Sequence, residues 1–171
     1  MEPRVYLSQA LQRLDLLLQR EILRLRASYQ LSLDEFRGLY ISDEQVNQLV
    51  NRAVNYEGPS SAIDELTEKA ESLCSDSTGG DDASPWQRLV GEFALSSIEQ
   101  DLLLLAVAPE IDLKYETLFV YLNNDITRKW PTFGLALRVA ARFTEQRTEV
   151  RRCLLPEAKL ITSGLLQPII V

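Results

Sequence analysis

Side chains able to do covalent or acid–base chemistry are few in this chain, and they stand apart. There is no histidine among its 171 residues. That excludes a Ser-His-Asp triad, a Cys-His pair, a His-ligated zinc and an imidazole acid or base. Acidic pairs occur at, among others, Asp34/Glu35, Asp43/Glu44 and Asp81/Asp82. General acid–base work needs such carboxylates in an enclosed pocket that drives their pKa values apart. The first two pairs follow Ser32 and Ser42 at helix starts, where negative charge is favourable anyway. The third lies in a stretch of linker composition. Cys74 and Cys153 are far apart and form no C-x-x-C. Without an activating base they read as inert thiols in a reducing cytoplasm. The expectation is a chain with no catalytic residue, no metal ligand set and no cofactor site.

One segment could do recognition chemistry. Thr127-Arg128-Lys129-Trp130-Pro131-Thr132 joins two cations to an indole, and Arg138 and Arg142 follow at helical spacing. Arg128, Lys129, Trp130, Arg138 and Arg142 are therefore the candidate partner-binding residues. On nucleic acid the cations would meet phosphates and Trp130 would stack on a base. The alternative is a structural turn with Trp130 half-buried, or a contact with protein. Net charge −7 favours the second group, because sequence-independent nucleic-acid binding is driven by Lys and Arg on phosphates.

These residues must be positioned by helices. Leu7, Leu11, Leu14, Leu18, Ile22, Leu25 and Tyr29 recur at steps of four and three, which predicts a helix over about 4–29. Leu16, Leu17 and Leu23 widen its apolar face to suit a helix packed between others. Arg13, Arg20, Arg24 and Arg26 are expected to form the solvated face of a core-packing helix; the sharper reading is a helix that pairs with a partner or with its own copy. Ser32-x-x-Glu35 and Ser42-x-x-Gln45 are capping-box signatures. They predict helices over about 33–40 and 43–54, the first weakened by Gly38. Ser61 opens another over about 62–74. Trp86 to Phe93 reads as helical, and Ser96-x-x-Glu99 opens a helix to Ala108, before Pro109. Asp112 can cap a helix over 113–123, Thr132 one over 133–142, and Thr144 one ending near Leu154. Lys159–Thr162 and Leu165-Leu166 flank Ser163-Gly164 as a hairpin would.

The fold class expected is mainly α: a multi-helix bundle with a C-terminal winged-helix-like part ending in a short β-hairpin near 159–171. Helices at 97–108, 113–123 and 133–142 followed by a β-ribbon have the order of a winged helix-turn-helix. An extra helix at 145–154 makes it a variant, and a plain helical bundle is the competing reading. Residues 75–84 hold no apolar side chain larger than alanine and have linker composition. They suggest a division into a helical part over 1–74, a linker over 75–84 and a winged-helix-like part over 85–171. No signal peptide is visible, and the run Leu102–Pro109 is far short of the roughly 20 residues that span a bilayer. A soluble, cytoplasmic protein is expected. The chain also ends on the apolar run Ile169-Ile170-Val171, which suggests that more sequence follows.

Ser97 to Thr132, reading SIEQDLLLLAVAPEIDLKYETLFVYLNNDITRKWPT, goes beyond helical patterning. It resembles a segment N-terminal to the ATPase core in bacterial AAA-family ATPases of the kind associated with contractile injection systems. The shared elements are Ala108-Pro109-Glu110, Asp112-Leu113-Lys114-Tyr115-Glu116 and Tyr121 to Thr132. Leu14 to Val46 and Leu160 to Leu166 are similar to the same group. Asn124, where that pattern is acidic, and Trp130, at a variable site, depart from it. The resemblance implies a module upstream of an ATP-hydrolysing ring. It does not imply ATP hydrolysis by these residues, since no G-x-x-x-x-G-K-[ST] loop is present and Gly79-Gly80 runs into Asp81-Asp82.

The function expected is therefore a non-catalytic interaction or assembly domain of a larger ATPase, binding a protein partner or its own copy, with neither nucleic acid nor membrane as its main target. The alternative is a stand-alone winged-helix DNA-binding regulator.

Overall fold

A computed structural model describes residues 7–29, 61–73 and 84–169. The described helices are α1 (Ser8–Tyr29), α2 (Ser61–Ser72), α3 (Pro85–Glu92), α4 (Ser97–Ile111), α5 (Lys114–Asn123), α6 (Phe133–Ala140), α7 (Arg147–Arg152) and α8 (Lys159–Thr162). A 3₁₀ turn over Thr144–Gln146 leads into α7. The helices expected at 33–40 and 43–54 lie outside the described residues, as do 75–83 of the expected linker and Cys74.

Local chemistry sets most helix starts. Ser84 accepts from the Gln87 amide at 3.2 Å while Gln87 reaches back to the Ser84 amide, opening α3. Ser96 and Glu99 close the same reciprocal pair at α4, and Thr132 Oγ1 accepts from the Leu135 amide at α6. Each satisfies amides that a helix start otherwise leaves orphaned.

Packing is organised by α4 and α1. Every residue from Ile98 to Leu105 is buried, so α4 is enclosed on all sides as its leucine run demands. α1 lies against α2, α4, α5 and α6. A single cluster of buried side chains joins Leu14 and Leu18 of α1, Ala70 of α2, Val90 of α3, Leu104 and Leu105 of α4, Phe119 of α5, Leu135 and Val139 of α6, Val150 of α7 and Leu160 of α8. Burying one such aliphatic side chain is worth about 1.5–3 kcal/mol relative to leaving it in water. The helices before 75–84 thus share one core with those after it.

Three expectations need correction. α4 continues to Ile111 through Pro109, because a proline in the last turn removes only one backbone bond. The helix expected to start at Thr144 opens instead as a 3₁₀ turn over Thr144–Gln146, and α7 begins at Arg147. The hairpin expected over 159–171 is replaced, over Lys159–Thr162, by α8, and no strand occurs among the described residues. Its reason is local. Ile161, Thr162 and Ser163 donate to Ala158 and Lys159 carbonyls, Leu160 is fully buried, and Gly164 at φ +75° ends the turn. Ser163-Gly164 is a turn as read, but it closes a helix instead of joining two strands.

Candidate interaction surface

The candidate residues Arg128, Lys129 and Trp130 lie in the connection between α5 and α6. Asn124 ends α5 in the left-handed conformation, φ 54°, which asparagine tolerates better than most residues. Asp125 then builds the turn. Its Oδ1 accepts from Thr127 Oγ1 at 2.6 Å and from the Thr127 amide at 2.9 Å. These two bonds, with the Arg128 guanidinium, hold the Asp125 carboxyl below its usual pKa. Asn123 secures the far side, donating to the Arg128 and Trp130 carbonyls at 3.2 Å each and accepting from Thr132 Oγ1 at 2.8 Å.

The ordered turn displays large side chains. Ile126 is 67% exposed, Trp130 58% and Phe133 54%. Beside them Arg128 pairs with Asp125 at 3.0 Å and Lys129 with Glu116 at 3.5 Å, both cations well exposed. Surface pairs of this kind contribute little, about 0–1 kcal/mol. A rigid turn presenting an indole and flanking cations is suited to binding, since little order remains to be imposed on association.

Arg138 and Arg142 are placed differently. Arg138 Nε reaches Glu21 Oε1 on α1 at 2.7 Å, and its Nη2 donates to the Leu122 carbonyl at 3.0 Å. Arg142 pairs with Glu71 of α2. Of α6 itself only Phe133 and Gly134 are exposed, while Leu135, Ala136, Leu137, Val139 and Ala140 are buried. The two arginines therefore brace α6 against α1 and α2 and are not grouped with Arg128, Lys129 and Trp130.

A family model described as winged helix domain, variant, matches residues 4–170. The chain belongs to that family. Nothing among curated proteins and nothing among solved structures matches it. A winged helix is compatible with either protein interaction or DNA binding, because fold does not fix function. Among the described residues no group of histidine, cysteine, aspartate or glutamate side chains could hold a metal ion, and no helix is long and apolar enough to cross a membrane. Cys153 is half-buried, and desolvation pushes its thiol above the usual value, away from nucleophilic use.

The winged helix variant also holds polar residues that the sequence reading misplaced. Arg13, Arg20 and Arg24 are not a solvated face of α1. Arg13 is buried and donates from two nitrogens to Asp101 of α4, at 2.8 and 2.7 Å, and from Nη1 to the Ala70 carbonyl. Arg20 is 0% exposed; its Nη2 reaches the Val139 carbonyl at 2.7 Å and the Ala141 carbonyl at 3.1 Å. Burial, then the neighbouring Arg24 charge, pushes the Arg20 pKa down to about 10. Arg24 donates to the Arg142 carbonyl at 3.0 Å. These bonds fill the open carbonyls at the end of α6, where cationic donors are favoured. The signal was present in the sequence. At about 100° per residue, Arg13, Arg20 and Arg24 fall between Leu17 on one side and Leu16 and Leu23 on the other. A stripe with leucines on both flanks faces protein.

Proposed function

We propose that this winged helix variant is a non-catalytic interaction or assembly module of a larger AAA-family ATPase, and that it binds a protein substrate or partner through the α5–α6 connection. The observation that carries the binding mode is the contrast within that region. Trp130, Ile126 and Phe133 stand exposed on an ordered turn, while the arginines on and just after α6 are engaged with Glu21 and Glu71. A helix that reads a DNA major groove needs an exposed face with side chains free to reach base edges. α6 offers Phe133 and Gly134 at its start; beyond them only Arg138 is part-exposed, and it is paired with Glu21. The acidic balance of the chain points the same way. The ATPase context rests on the resemblance of Ser97–Thr132 to the segment preceding an ATPase core.

Two experiments test the two halves of the proposal. Affinity capture with the chain and with Trp130→Ala should yield a protein retained by the first and lost by the second. Capture that does not change with Trp130→Ala overturns the binding surface. A phosphate-binding loop encoded downstream of Val171 is expected for the ATPase context, and a stop codon directly after Val171 overturns it.

A further inference from the structure

Sliding α1 along its own axis nearly superposes its leucine stripe on itself. A slide of four residues brings Leu11 to the place of Leu7, Leu18 to that of Leu14 and Ile22 to that of Leu18. A slide of seven brings Leu14, Leu18 and Leu25 to the places of Leu7, Leu11 and Leu18. Apolar burial is non-directional, so it discriminates weakly among these positions. The charges discriminate strongly. A slide of four carries Glu21 into the place of Leu17, and a slide of seven carries it into that of Leu14, both buried in the core. Either move takes Glu21 from Arg138. The shorter slide also puts Leu17 where Arg13 meets Asp101, leaving a carboxylate that is 2% exposed without its cation. The longer one puts Ala27 in the place of Arg20 and leaves the Val139 and Ala141 carbonyls without its guanidinium. Among the fully apolar positions Ala10 objects as well, because a leucine arrives there in either slide.

We infer that the buried charges of α1 are a register key: Glu21 with Arg138, and Arg13 with Asp101, select one axial position for a helix whose leucine stripe accepts several. Burying ion pairs is a poor way to gain stability, since well-packed apolar residues often do as well, and fixing a register is the best-attested use of buried polar groups. The key sets more than α1. Arg20 and Arg24 hold the carbonyls at and just after the end of α6, so the register of α1 fixes where α6 sits. This inference stands independently of the proposed partner.

Electron–electron distance measurements test it on the full chain with Cys74 and Cys153 changed to alanine. One spin label goes at exposed Gln19 of α1, and the other at exposed Glu110 or, separately, Thr162. The chain with its charges intact should show one distance for each label pair. Replacing both ion pairs together (Arg13→Met, Asp101→Leu, Glu21→Met, Arg138→Met) should leave a cooperatively folding protein. At least one label pair should then show a second distance, for an axial slide of about 6 Å (four residues) or about 10 Å (seven). Restoring Glu21 and Arg138 alone should bring back the single distance. A single, unchanged distance in the fourfold variant would assign the register to Ala10, Arg20 and shape, overturning the inference. Loss of folding would show that the charges hold stability instead of position, and would overturn it too.

Discussion

Arg13 and Arg20 of α1 lie in the interior at 7% and 0% exposure, whereas the Arg128 side chain, in the α5–α6 connection, is 61% exposed. The same side chain is thus used in two ways in one molecule. Inside, each guanidinium is fitted to fixed acceptors: a carboxylate for Arg13, backbone carbonyls for Arg20. Outside, Arg128 pairs with an aspartate three residues away, and solvent screens the pair. The interior set holds helices together, and the exterior set leaves groups available to something else. Charge type did not separate the two. What separated them was the company each residue keeps on its helix or turn.

The largest effect should come from breaking the interior set. Asp101→Ala leaves the Arg13 guanidinium buried without its counter-charge, a defect that costs about 3–5 kcal/mol. Urea unfolding should show the midpoint falling sharply, and a loss under about 1 kcal/mol would place Arg13 in water after all. Next is Thr132→Ala, which removes the cap of α6 and the hydrogen bond that Thr132 gives Asn123. A loss of about 1 kcal/mol is expected in the same measurement. This substitution touches both regions, so it should also weaken partner capture, because Asn123 holds the Arg128 and Trp130 carbonyls.

Alkaline stability sharpens the interior account further. Burial and the hydrogen bond to Asp15 raise the Tyr115 pKa above its ordinary value of about 10. The folded state therefore keeps this proton where the unfolded chain releases it, and stability from Tyr115 is full below about pH 10 and lost as pH rises beyond it. Arg20 works oppositely. Its folded pKa of about 10 lies below the ordinary arginine value, so its contribution rises with pH above about 10. Tyr115→Phe should remove the falling component and leave the rising one in a pH series of unfolding midpoints. An unchanged alkaline slope would contradict the shift. The smallest stability effect is expected outside: Trp130→Ala should change unfolding by no more than about 0.5 kcal/mol while removing partner capture. A large destabilisation would make Trp130 a packing residue.

Much of the fold could be read in the sequence where local chemistry decides. Ser96 and Glu99, Thr132 and the leucine steps of α1 mark helices where the structure has them, and the winged-helix order survives as a family assignment over 4–170. The helical turn at Lys159–Thr162 could not be read, because Ser163-Gly164 serves equally for a strand turn or a helix end, and the burial of Leu160 decides between them. Trp130 as an exposed group was within reach. The roles of Arg138 and Arg142 were not, since Glu21 and Glu71 are distant in sequence and meet them only through the packing of α1 and α2.

The central claim is that the arginines of the α6 region are structural and that the exposed turn serves protein contact. The most direct test is titration of a fluorescent DNA duplex with the chain at low salt, where any phosphate-driven binding is strongest. The account predicts no saturable binding. Saturable, salt-sensitive binding that Arg138→Glu and Arg142→Glu abolish, in variants that still fold, would contradict it.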